Sequence, residues 1–191
     1  MMTKHTYSPK ASEILDVAEN HMRKGGFDAV SFRDLAGAVG VKSASVHYHF
    51  PQKTDLGQAV VARYRGRVLE SLGDADDVSG TTVERLERLL TIYRTALTDA
   101  DSVCLCNMLG AEAQYLPEDV AAEVDMFFKS VLSWTVKALS SAESQQNAEE
   151  WASYLLSSLQ GAMVLSVATN DHNHYHNTEK LIRQSVQAVF R

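Results

Sequence analysis

Apolar residues recur three and four positions apart along almost the whole chain, and β-branched residues nowhere alternate, so the pattern predicts helices and no strands. Ser8-Pro9 is a cap followed by proline at the first helical position. Ile14, Leu15, Ala18 and Met22 then share one face, and Gly25-Gly26 is the stop. Ser31 caps a short helix carrying Phe32, Leu35, Ala36 and Val39 that ends at Gly40. A second short helix is expected from Ser43 to His49, stopped before Pro51, and a longer one carries Leu56, Val60, Val61 and Tyr64. Gly73 to Gly80 is polar and acidic and reads as a loop. Beyond it five helices are expected, at Thr81–Thr98, Ser102–Gln114, Pro117–Leu139, Ala148–Ala168 and Thr178–Phe190. The expectation is an all-α chain of about nine helices: a three-helix head over residues 1–56 and a larger helical body over 57–191.

Within the head, the segment from Ser31 to Leu56 has the residues a helix-turn-helix needs. Two short helices that cross closely require a small residue on the first, a glycine at the turn and branched apolar residues behind the second. Ala36, Gly40, Val41 and Val46 stand at those spacings. The outward face of the second helix is then Lys42, Ser43, Ser45, Tyr48 and His49, all able to hydrogen-bond in a groove.

Charge sharpens this picture. The net charge of the 191 residues is -6, yet Met1 to Arg67 holds ten Lys/Arg against six Asp/Glu, or +4, leaving 8 against 18, or -10, for the rest. A basic head on an acidic body suits a nucleic-acid reader with a separate second domain. With 45% hydrophobic residues and three prolines the chain has material for a core. No apolar run approaches the roughly 20 residues of a membrane span, and the start has no apolar core for a signal peptide, so a cytoplasmic protein without membrane contact is expected. Cys104 and Cys106 form no disulfide framework and no zinc pattern.

The run of Ser31, Leu35, Ala36, Gly40 and Val41, then His47-Tyr48-His49-Phe50, then Lys53 and Leu56, resembles the N-terminal signature of the TetR family of transcriptional regulators. The resemblance implies a DNA-binding regulator, a repressor released from a palindromic operator by a small-molecule effector. It implies that Ser31 caps its helix and offers a hydroxyl to a phosphate, that Lys42, Ser43, Ala44 and Ser45 face the major groove, and that His47, Tyr48 and His49 lie at the DNA backbone. Lys53 would open the next helix, where the dipole already favours a phosphate. Ala44 stands where many relatives carry glycine, and His47 where many carry tyrosine.

The body would then dimerise and hold the effector. For a homodimer interface the stripes are Trp151, Leu155, Leu159, Ala162, Met163 and Ser166 on one helix and Ile182, Val186 and Val189 on the last; the same stripes also suit an intrachain core. Effector candidates are Tyr93, Cys104, Met108, Glu112, Tyr115, Phe127, Trp134 and Tyr154, with Glu112 either a surface group or a polar anchor in a cavity. Cys104 and Cys106 stand near a helix start, where a dipole favours thiolate; they are either inert buried residues or the thiols of a sensor of electrophiles or oxidants. His172, His174 and His176 read as a solvated loop rather than a metal site. There is no Gly-rich phosphate loop, no His-Glu metal motif and no serine elbow, so neither an enzyme nor a cofactor is expected.

Overall fold

The computed structural model describes residues 7–75, 81–100, 102–139 and 145–189. Among these there are nine α-helices and no strand: α1 (Pro9–Gly25), α2 (Phe32–Ala38), α3 (Ser43–His49), α4 (Lys53–Leu72), α5 (Thr82–Ala100), α6 (Leu105–Ala111), α7 (Glu118–Leu139), α8 (Gln145–Thr169) and α9 (Asn173–Val189). One 3-10 turn, Phe27–Ala29, follows α1. The expected loop from Gly73 lies outside the described residues over 76–80. The chain forms two compact units, one of residues 1–66 with 105–127, the other of 67–104 with 128–191.

In the first unit, local signals set the boundaries. Ser8 Oγ accepts from the Ala11 N–H at 3.2 Å, Pro9 follows it, and Arg23 and Lys24 stand at the dipole's negative end. Ala11, Ile14, Leu15, Ala18 and Met22 are buried on one face of α1, against α2, α3 and α6. Leu56, Val60, Val61 and Tyr64 supply the buried face of α4. Charges tie the helices together. Arg63 on α4 reaches Asp16 at 2.6 Å and the Ser12 carbonyl at 3.3 Å on α1, and it shares the buried Glu19 with Arg23. Arg65 pairs with Glu123 of α7 at 3.0 Å, both side chains largely buried. Such pairs add little net stability, but losing one partner leaves a costly buried charge, so they fix which helix faces meet.

In the second unit, α5 opens on a capping box: the Thr81 hydroxyl accepts from the Glu84 N–H at 3.2 Å and the Glu84 carboxylate accepts from the Thr81 N–H at 2.7 Å. That bond holds the Glu84 carboxyl below its usual range. Helix α8 packs along α9, and Tyr175 at the start of α9 is fully buried, donating its hydroxyl to the Leu90 carbonyl of α5 at 3.0 Å. Arg183 of α9 grips Glu87 of α5 through two nitrogens and also meets the buried Glu179, which Arg94 of α5 approaches at 3.3 Å. Trp134 donates its indole N–H to the Gly73 carbonyl at 2.8 Å.

Three expectations change here. Helix α6 begins at Leu105 rather than Ser102 and ends at Ala111; Ser102, Val103 and Cys104 precede it, buried in non-helical backbone. Helix α9 begins at Asn173, so His174 and His176 lie in a helical first turn rather than a loop, on either side of the buried Tyr175. Asp171 caps that turn by accepting from the Asn173 N–H at 2.9 Å. Finally, α8 from Asn147 to Thr169 is as long and as apolar as a membrane span, a test that core helices of soluble proteins also pass.

Candidate nucleic-acid interface

The turn between α2 and α3 is closed by backbone alone. The Val41 N–H donates to the Ala36 carbonyl at 2.9 Å and the Gly40 N–H to the Gly37 carbonyl at 3.4 Å, with Gly40 at φ 67°, which together form a Schellman motif. Only a residue at ease with positive φ closes it, which is why glycine stands there. Helix α3 leaves this turn with Val46 and the following Phe50 buried, four residues apart, so its opposite face points away from the core.

That outer face carries most of the residues the sequence singles out. Lys42, Ser43, Ala44, His47 and Tyr48 are exposed, Tyr48 at 82%, while Ser45 and His49 are half-buried. No side chain caps the α3 N-terminus. His47 is held in place: its ring lies edge-on to Phe32 at 4.6 Å between centroids, with Nδ1 3.4 Å from the Pro51 carbonyl. Tyr48 and His49 are edge-to-face at 5.2 Å.

Two expected phosphate contacts are already engaged in the free chain. Ser31 caps α2 by accepting from the Asp34 N–H at 3.2 Å, and donates its proton to the Asp34 carboxylate at 2.6 Å. Lys53 does open α4, but its ammonium pairs with Asp28 at 3.2 Å and stands 4.6 Å from the centroid of the Phe27 ring. Reading the sequence passed over Asp28 and Phe27, because Gly25-Gly26 marks only where a helix ends. It also passed over Arg33, exposed in the first turn of α2, which net charge alone could have suggested.

The effector candidates are spread over both units. In the first, Met108 is half-buried, Phe127 is buried against Tyr64 and Tyr115 is 88% exposed. Glu112 does not stand free, because its carboxylate accepts from the Phe27 N–H at 3.0 Å. In the second, Tyr93, Cys104 and Trp134 are buried, with the Tyr93 hydroxyl accepting from Gln160 at 3.0 Å. Tyr154 is half exposed and lines an open surface recess with Glu150 and Trp151. Cys104 and Cys106 are buried and form no disulfide. Among the described residues no three His, Cys, Asp or Glu side chains gather as a metal site would require.

The residues expected at a dimer interface lie mostly inside the protomer. Leu155, Leu159, Ala162, Met163, Ser166, Ile182 and Val186 are buried, Trp151 is half-buried and only Val189 is exposed. The stripe is where α8 meets α9 of the same chain. The exposed large apolar side chains of these helices are instead Tyr154, Val164, Leu165, Val167, Leu181 and Val189.

An exposed polar recognition helix, held by a Schellman turn and carried on an all-helical chain, defines a DNA-binding transcriptional regulator. Residues 14–60 match the family model described as bacterial regulatory proteins, tetR family. A TetR transcriptional regulator from Legionella pneumophila superposes with a TM-score of 0.86 at 27% identity, covering 95% of this chain and 98% of its own. A TetR-family regulator from Agrobacterium tumefaciens gives 0.83 at 26%, covering 92% and 96%. The reduced form of NemR from Escherichia coli shares the fold, with a TM-score of 0.73 at 21% identity over 93% and 96%. No curated protein matches the chain by sequence. Residues 14–60 thus match the N-terminal domain of the TetR family, and the chain as a whole has the fold of these TetR-family regulators.

Proposed function

We propose that the chain is a cytoplasmic homodimeric repressor that binds a palindromic operator through residues 1–56 and is released by a small-molecule effector held in residues 57–191. The observation that carries this reading is the exposed face of α3, with Lys42, Ser43, Ala44 and Tyr48 outward while Val46 and Phe50 anchor its back. Lys42 to Ser45 read base edges, His47, Tyr48 and His49 lie along the backbone, and Lys53, with Arg33, contacts phosphate.

A dimer places two copies of α3 in successive major grooves, roughly 34–36 Å apart. Support for a dimer comes from α8 and α9, which bury one apolar face within the protomer and still expose Leu165 and Leu181. The effector acts by preferring one spacing of the heads over another, which shifts DNA affinity by its differential affinity for the two states.

Footprinting on DNA flanking the chain's own gene tests the reading. The expected result is a two-fold symmetric protected site with half-sites one helical turn apart. No protection at low salt, or protection without symmetry, would overturn it.

A further inference from the structure

The carboxylate of Glu112 lies where the DNA-binding head turns out of α1, 85 residues away in sequence. Its Oε2 accepts from the Phe27 N–H at 3.0 Å, and a Cβ on Gly26 would stand 1.8 Å from its Oε1. Gly26, at φ 76°, therefore does two things: it takes a backbone conformation other residues resist, and it leaves the space the carboxylate fills. Glu112 is itself held in a turn just past α6, where its N–H donates to the Leu109 carbonyl at 3.1 Å and its carbonyl accepts from the Tyr115 N–H at 2.8 Å.

What the carboxylate grips continues to the DNA-facing side of the head. Phe27 is buried, and its ring packs so closely on α4 that a Cβ on Gly57 would meet it at 2.6 Å. The same ring is the platform for the Lys53 ammonium at 4.6 Å. One residue thus receives a charged hydrogen bond on its backbone and supports a cation on its ring, so fixing the first fixes the second.

We propose that Glu112 is a positioning residue for DNA binding: through Phe27 it holds Lys53 where it meets a phosphate. This rests on the reading of Lys53 as a phosphate contact. A carboxylate at this place does more than fill space. It is the acceptor that keeps the turn after Gly26 closed, and without it the Phe27 amide turns to solvent and the ring loses its fixed height beneath the lysine. The Lys53 side chain then spends its rotamer freedom on binding, so the phosphate contact weakens or is lost.

A double-mutant cycle on DNA affinity tests the coupling, using a duplex that the wild-type chain selects from a random pool and anisotropy titrations across a range of KCl. Glu112→Met keeps the bulk and removes the acceptor; Glu112→Gln keeps an acceptor oxygen. Glu112→Met and Lys53→Ala are each expected to weaken binding about fivefold and to lower the slope of log K on log salt by about 0.9, the value of one phosphate contact. The double variant should bind no more weakly than Lys53→Ala alone, and Glu112→Gln should stay within about twofold of wild type with its slope unchanged. Additive losses in the double variant, or a wild-type salt slope in Glu112→Met, would overturn the proposal. If Glu112→Met does not fold, a loss of slope in Glu112→Ser decides the same question, and a wild-type slope there overturns it. A wild-type chain that selects no duplex overturns the DNA-binding reading itself, and this inference with it.

Discussion

Lys53 Nζ lies 3.2 Å from Asp28 Oδ1, so the cation at the head of α4 already has an anionic partner before any DNA arrives. The Asp28 side chain is fully exposed, which makes the pair weak, screened by salt and easily exchanged for a phosphate. In the proposed complex, with Lys53 on a phosphate, Asp28 also places a negative charge beside the DNA backbone. Asp28→Asn is therefore expected to tighten binding about threefold at low salt and to lose that advantage near 1 M salt, where the Debye length is about 3 Å. Anisotropy titrations at the two salt concentrations measure this; weaker binding by the variant at low salt would show that Asp28 orients Lys53 instead of competing for it.

Gly37 inside α2 and Gly40 just past its end should respond in opposite directions. Gly40 sits at φ 67° with open space around it, so Gly40→Ala meets no neighbour and costs only backbone strain, about 1 kcal/mol. Gly37, within α2, has ordinary helical backbone and open space too, so Gly37→Ala gains about 0.5–1 kcal/mol by restricting the unfolded chain. Thermal melts should show the first lowered and the second raised by roughly 2–4 °C. Equal shifts of the same sign would mean that the Schellman turn is not what ends α2.

How far the sequence reveals this molecule depends on the range of the interaction concerned. Caps and stops are local, which is why Ser8-Pro9, Ser31, Gly40 and Pro51 mark the head's helices closely, down to Ser43–His49 for α3. At α9 the same method misplaces the start, because Asn173 to Lys180 shows no apolar period and the buried Tyr175 looks like one more polar loop residue among histidines. Helix α8 is apolar on two faces, so periodicity identifies it as a helix without saying which face turns inward; hence the expected interface stripe lies in the protomer's core. The part of the candidate site on α3 was legible because an exposed polar face opposite Val46 follows from helical spacing. The engagement of Lys53 with Asp28, and of Glu112 with Phe27, is tertiary and joins residues 25 and 85 positions apart, beyond the reach of any local pattern.

The two faces of α8 and α9 can be told apart by placing a charge on each. Leu165→Glu and Leu181→Glu fall on exposed positions, so the protomer should keep its helicity while a dimer that uses this surface weakens at least tenfold. Each change enters a symmetric interface twice, which doubles the desolvation cost of the new carboxylates. Leu159→Glu, by contrast, buries an unpaired charge in the protomer and should abolish folding. Sedimentation velocity with circular dichroism reads both quantities. Dimers unaffected by either exposed substitution would place the interface elsewhere.

Tyr175 gives the body a pH signature that can be worked out in sign. Its hydroxyl donates to the Leu90 carbonyl at 3.0 Å and its side chain is fully buried, which fastens the start of α9 to α5. Burial drives its pKa well above the ordinary value of 10, with the Glu179 carboxylate adding to the shift and Arg94 and Arg183 opposing it. In the unfolded chain the phenol loses its proton near pH 10, while in the folded chain it keeps it. The folded state therefore binds one more proton above pH 10, and its stability must fall there as pH rises, at up to about 1.4 kcal/mol per pH unit from this group. Below pH 10 both states hold the proton and the contribution is constant. Tyr175→Phe has no proton to keep. It should be less stable at pH 8 by about 1 kcal/mol for the lost hydrogen bond, and it should decline less steeply between pH 10 and 11. Urea unfolding at pH 8, 10 and 11 compares the two slopes; parallel declines would mean that Tyr175 ionises as easily folded as unfolded, and that its burial is not the tight one described.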